Sequence, residues 1–204
     1  MKKSDKTKQK ILKETIELIS KKGYAATSTR EIAEQADVSE ATIFKYYKSK
    51  DNLLQTIVMD TVEKLFKTSS KEKIPNILNN NKDKNSKELL RLLIRERLDF
   101  FGTHKKEFKV IFQEMLINKK VQRYVKEKVW NKMVDVSDEI YFHIKSNHQL
   151  KKDLDPYMFR KTLFGILFFT ILFEEIIDED KILNNEEQSK LISEIIFSGI
   201  KEKE

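Results

Sequence analysis

Residues 28–54, STREIAEQADVSEATIFKYYKSKDNLL, read as two short helices joined by a tight corner. Ser28 stands three residues before Glu31, the spacing of a capping box, so a first helix starts directly after Ser28. Ile32, Ala33 and Ala36 then make a narrow apolar stripe, and its small members let a second helix cross close by. The corner is Ala36-Asp37-Val38-Ser39. Asp37 falls where the first helix ends in a left-handed residue, a conformation that costs a non-glycine about 1 kcal/mol. Val38 is placed to plug the space between the helices. Ser39 is a good N-cap for a second helix over residues 40–47.

On that second helix Ile43 and Tyr47 are four apart and face inward, which leaves Glu40, Ala41, Thr42, Lys45 and Tyr46 outward. Thr42 and Tyr46 offer hydroxyls to phosphates or base edges, and Ala41 and the Thr42 methyl suit a thymine methyl. The start of the helix favours an anion, and Lys50 adds a point charge just beyond its end. A short helix pair with this outward chemistry places its second helix in the major groove of duplex DNA. A plain three-helix core requires none of these outward groups.

The string T-R-x-I-A-x-x-A-x-V-S-x-x-T-I-F-x-Y-Y-x-x-K-x-x-L, from Thr29 to Leu53, resembles the DNA-binding signature of the TetR family of transcriptional regulators. A preceding helix over residues 8–22 and the Gly23-Tyr24 step that ends it fit the same pattern. The resemblance implies that Ser28, Thr29, Thr42, Tyr46 and Lys50 touch phosphates, while Ala41, Thr42, Lys45 and Tyr46 lie over bases. With Arg30 and Ser39 these residues make the expected DNA-binding set. Two positions depart from the family pattern. Asp37 stands where glycine is common, and Phe44 stands where tyrosine is usual, which removes one hydroxyl contact.

The net charge is +7, and residues 1–55 hold +4 of it. Lys2, Lys3, Lys6, Lys8 and Lys10 either reach a neighbouring stretch of DNA backbone or stay solvated. There is no cysteine, hence no disulfide and no thiolate metal site, which agrees with a reducing cytoplasm. The N-terminus is too polar for a secretory signal. The longest apolar run, Leu163 to Phe173, contains Gly165 and Thr170 and falls well short of the roughly 20 residues that span a bilayer. A soluble, cytoplasmic protein with no membrane partner is expected.

Four glycines, two prolines and no sustained alternation of apolar and polar residues argue against a sheet. The expected fold is all-α. Helices are expected over residues 50–68, 87–101, 104–117, 120–147, 156–178 and 186–201, with Asp155-Pro156 capping the fifth. Residues 69–86, with Pro75 and an asparagine-rich run, read as a linker. The chain thus divides into a helix-turn-helix head, residues 1–50, and a regulatory domain, residues 51–204, joined by a long helix.

Helix 156–178 is apolar on more than one face, and the last helix carries Leu191, Ile192, Ile195, Ile196 and Ile200. Faces in excess of one core imply a two-fold homodimer whose paired heads read a palindromic operator. Phe100, Phe101, Phe112, Met115, Trp130, Met133, Phe164 and Phe168 are candidates to line a pocket for a small hydrophobic effector, although each also suits an ordinary core. No G-x-S-x-G, Walker or H-E-x-x-H motif occurs, and His104, His143 and His148 share no metal-binding face, so neither an enzyme nor a cofactor is expected. The reading is a ligand-responsive repressor. Its alternatives are an activator, a ligand-independent regulator, or a helical adaptor that has lost DNA binding.

Overall fold

The computed structural model describes residues 3–68, 73–145, 153–173 and 183–200, and among these every regular element is helical. In chain order they are α1 (Lys3–Lys22), α2 (Thr29–Gln35), α3 (Glu40–Tyr46), α4 (Lys50–Thr68), α5 (Ile74–Asn80), α6 (Ser86–Thr103), α7 (Lys105–Ile117), α8 (Lys119–Val125), a π-helical turn (Lys126–Trp130), α9 (Asn131–Lys145), α10 (Pro156–Leu172) and α11 (Asn185–Ile200). They group into two units, Met1–Lys64 with Lys106–Glu127, and Leu65–Lys105 with Lys128–Glu204.

In the first unit, α1 buries Ile11, Ile16 and Ile19 along one side. Thr15 is buried on that face, and its hydroxyl donates to the Ile11 carbonyl at 2.7 Å, which removes the cost of an unpaired buried polar group. α1 stops where Gly23 takes φ +80, and the Gly23 N–H donates to the Ile19 carbonyl at 2.8 Å. Ile32, Ala33, Ala36, Ile43 and Tyr47 complete the core with Leu53, Leu54, Ile57 and Val58 of α4. α7 joins this unit through Lys106, whose ammonium lies 2.6 Å from a Glu17 carboxylate oxygen.

The capping box at α2 forms as its spacing implies. The Glu31 N–H donates to the Ser28 hydroxyl oxygen at 3.1 Å, and the Ser28 N–H donates to the Glu31 carboxylate at 2.8 Å. At the other end Asp37 has φ +50. Its N–H donates to the Glu34 carbonyl at 3.1 Å, and the Val38 N–H donates to the Ala33 carbonyl at 3.0 Å. That is a Schellman closure with Asp in the place that glycine prefers. Lys10 lies 3.3 Å from the Asp37 carboxylate across the corner.

The second unit is built on Leu89, Leu90, Leu93, Ile94 and Leu98 of α6, against which α11 lies. Ile140, Tyr141 and Ile144 of α9 and Phe159, Leu163, Leu167 and Ile171 of α10 fill the remainder. The Tyr141 and Phe159 ring centroids are 5.6 Å apart. Asp155 caps α10 as expected, accepting from the Met158 N–H at 2.8 Å, with Pro156 at the first helical position.

Three expectations are corrected. Residues 74–80, read as part of a linker, form α5, because Ile74 and Leu78 lie one turn apart and are both buried. The helix expected over 120–147 is α8 and α9 with a π-helical turn between them. The first helix, expected over residues 8–22, starts at Lys3, so Lys6 lies within α1 rather than before it. Lys2, residues 69–72, His148 and the last turn expected for helix 156–178 lie outside the described residues.

Candidate nucleic-acid interface

α3 is a seven-residue helix with two very different sides. Ile43 and Tyr47 are buried in the first unit, whereas Ala41, Phe44, Lys45 and Lys48 are exposed. Lys48 lies past the extended cap residue Tyr47, while Ala41, Phe44 and Lys45 follow the i, i+3, i+4 phase of one helix face. Thr42 and Tyr46 sit half-buried at its margin. The Ser39 hydroxyl accepts from the Thr42 N–H at 3.1 Å and lies 2.8 Å from the Thr42 hydroxyl. The cap therefore fixes the Thr42 side chain as well as the start of the helix.

The remaining expected contacts are distributed around this face, and most are engaged with the protein itself. The Ser28 hydroxyl donates to Glu31 at 2.9 Å, and the Thr29 hydroxyl donates to the Glu40 carboxylate. Arg30 pairs with Glu34 at 3.0 Å. Lys50 is half-buried, with its ammonium 4.2 Å from the centre of the Tyr24 ring, a cation–π contact. For Ser28, Thr29, Arg30 and Lys50 to meet phosphates they must exchange these partners. Tyr46 differs. Among the described residues nothing accepts from its hydroxyl, while Lys8 stands 5.4 Å over its ring.

Electrostatics favour a settled scaffold beneath the face. Lys22, 2.6 Å from Glu31, together with the Ser28 N–H and hydroxyl, holds the Glu31 carboxyl down at about 2. The Lys106 and Lys21 ammoniums hold Glu17 down at about 2 in the same way. Burial pushes the Tyr24 hydroxyl up, and its hydrogen bond to Asp51 adds to the effect. Glu114 of α7 is raised by burial, with the Asn118 amide at 3.2 Å opposing.

The effector-lining candidates are divided between the two units. Phe112 and Met115 lie on α7 in the first unit, and the other six lie in the second. Phe100 is buried, 6.1 Å from Phe101 between ring centroids, with Lys73 and Arg97 each 5.1 Å from its ring. Met133 and Phe164 are half-buried, whereas Trp130, in the π-helical turn, and Phe168 are largely exposed. A cleft of about 410 Å³ does exist within the first unit, lined by Tyr24, Asp51, Leu54, Glu114 and Asn118 among others. It includes none of the candidates.

Phe44 belongs to this exposed face, although the sequence reading took it only as the loss of a hydroxyl. Counting helical phase outward from Ala41 places it there.

The sequence model described as "Bacterial regulatory proteins, tetR family" matches residues 11–57. The uncharacterized HTH-type transcriptional regulator YvkB of Bacillus subtilis is 50% identical over 52 residues, which is 26% of this chain and 28% of that one. The alignments to YttP and YerO, also HTH-type transcriptional regulators of Bacillus subtilis, span 55% and 39% of their lengths. The chain thus covers well under two thirds of these relatives. The fatty acid metabolism regulator protein of Bacillus subtilis is 25% identical over 163 residues, 79% of each chain. The crystal structure of the transcriptional regulator FadR from Bacillus subtilis in complex with stearoyl-CoA superposes with TM-score 0.67 at 22% identity, covering 94% of this chain and 98% of that one. Each of these relatives is named as a regulator.

Proposed function

We propose that this chain, whose residues 11–57 match the helix-turn-helix model of the TetR family, is a homodimeric repressor released from a palindromic operator by a small apolar effector. The observation that carries the reading is the exposed face of α3, where Ala41, Lys45 and the free Tyr46 hydroxyl stand ready while Ile43 and Tyr47 anchor the helix from behind. An α-helix fits the major groove, and a face with cations and hydroxyls around a small residue suits phosphates and base edges together.

DNA binding is assigned to residues 1–50, and dimerisation and effector binding to residues 51–204. α4 starts at that boundary with Lys50 and runs on to Thr68, so an effector that displaces it changes the spacing of two heads held by symmetry. Linkage then requires the operator to weaken effector binding by the same factor. α10 and α11 support the dimer, because each keeps a second apolar face exposed beyond the one it buries. The effector class is a long acyl chain. The stearoyl-CoA bound by FadR and the many aromatic and methionine side chains of the regulatory domain both favour it. The work is done in the cytoplasm, and among the described residues no helix is long and apolar enough to cross a membrane.

Selecting genomic fragments with the intact chain tests this reading. The recovered sites are expected to share a palindrome, and long-chain acyl-CoA is expected to lower their occupancy. Sites without two-fold symmetry reject the dimeric reader. Occupancy unchanged by acyl-CoA of any chain length rejects the effector class.

A further inference from the structure

The side chain on the α3 face with no assigned task is Phe44. The residue is 47% exposed, on the helix face that also carries Ala41 and Lys45. An exposed aromatic ring loses nothing by leaving water, and gains where it meets another apolar group. The charges beside it say what that group belongs to. Lys45 is the next residue and Lys48 follows just past the end of α3, so whatever covers Phe44 is polyanionic around its apolar spot.

Duplex DNA has such a spot in its major groove, the C5-methyl of thymine, set between two phosphate backbones. Ala41 precedes Phe44 by three positions on the same face, and its single methyl leaves room for the backbone of α3 to come near the bases. The neighbouring long ring then reaches past it. Ile43 and Tyr47, both buried, fix the rotation of the helix and so fix the direction of that reach.

We infer that Phe44 is a specificity-determining residue that reads a thymine methyl in each half of the operator. The substitution of Phe for the hydroxyl-bearing ring exchanges a polar contact, indifferent to sequence when made to phosphate, for an apolar one that selects a base. This rests on the DNA-binding reading of α3, and the test separates the two.

The intact chain is first used to select duplexes from a random pool. Each thymine of the selected site is then replaced in turn by deoxyuridine, which removes the methyl and nothing else. The wild-type protein is expected to lose about threefold to tenfold affinity at one symmetric pair of positions, the worth of an apolar contact of one methyl made twice. Phe44→Ala is expected to bind the thymine and uracil duplexes equally at that pair, and Phe44→Leu, with a shorter apolar reach, to fall between. A wild-type protein insensitive to every methyl overturns the inference while leaving DNA binding intact. So does a methyl sensitivity that Phe44→Ala and Phe44→Leu both keep in full, since Ala41 then accounts for it. A pool that never enriches overturns the DNA-binding reading, and this inference falls with it.

Discussion

Replacing Phe169 and Ile195 together by Asp is expected to yield a folded monomer with operator affinity reduced by about two to four orders of magnitude. α10 turns Phe159, Leu163, Leu167 and Ile171 into the core of its own unit, a stripe that repeats every four residues. Phe169 falls outside that stripe, is 64% exposed, and stacks on Phe173 with ring centroids 5.7 Å apart. On α11 Ile196 is buried, whereas Ile195 is 67% exposed and Leu191, one turn before it, is also exposed. Apolar side chains at such positions contribute little to the stability of a single chain. Carboxylates there cost a monomer little, whereas a two-fold contact sets each against apolar surface or a like charge. Sedimentation reports the assembly and fluorescence anisotropy on one selected duplex reports the affinity. A double variant that still sediments as a dimer refutes the assignment of these faces. A monomer that binds as tightly as the wild type refutes the avidity argument.

The second large effect belongs to Lys45. Lys45→Ala is expected to weaken operator binding about 5- to 150-fold, the usual worth of one base-directed contact. Tyr46→Phe removes a single neutral hydrogen bond and is expected to cost about 2- to 12-fold. The order matters, because a charged donor over a base loses more than a hydroxyl on a phosphate. Neither change touches the buried side of α3, where Ile43 and Tyr47 sit, so thermal melting is expected to stay close to that of the wild type. Comparable losses at Ser28 or Arg30 with none at Lys45 shift the reading surface from α3 to α2.

Much of the head was legible because its signals are local. Ser28 with Glu31, the left-handed Asp37 and the Ser39 cap each act over four residues or fewer, and each forms as its spacing implies. What escaped is long-range or sparse. α5 has a single buried pair, Ile74 and Leu78, and a pattern of two cannot announce a helix. The π-helical turn at Lys126–Trp130 leaves no mark in a periodicity that continues on both sides of it. The partners of the expected phosphate contacts were hidden for the same reason, since Thr29 finds Glu40 eleven residues on and Glu31 finds Lys22 nine residues back. Phe44 was readable as a departure from a family pattern, but its exposure needed the packing of α3 to be seen.

The central claim is that the α3 face, doubled by symmetry, sits on a polyanion. Titrating one selected duplex with the intact chain across a range of salt concentrations tests it most directly. Each neutralised phosphate contributes about −0.9 to the slope of log affinity against log salt, so two heads with several contacts each predict a steep linear fall with a slope of roughly −5 or beyond. Lys50→Ala, which removes a phosphate-directed cation, should shallow that slope as well as lower the affinity. An affinity that stays flat with salt, or no binding to any duplex in dilute buffer, contradicts the account.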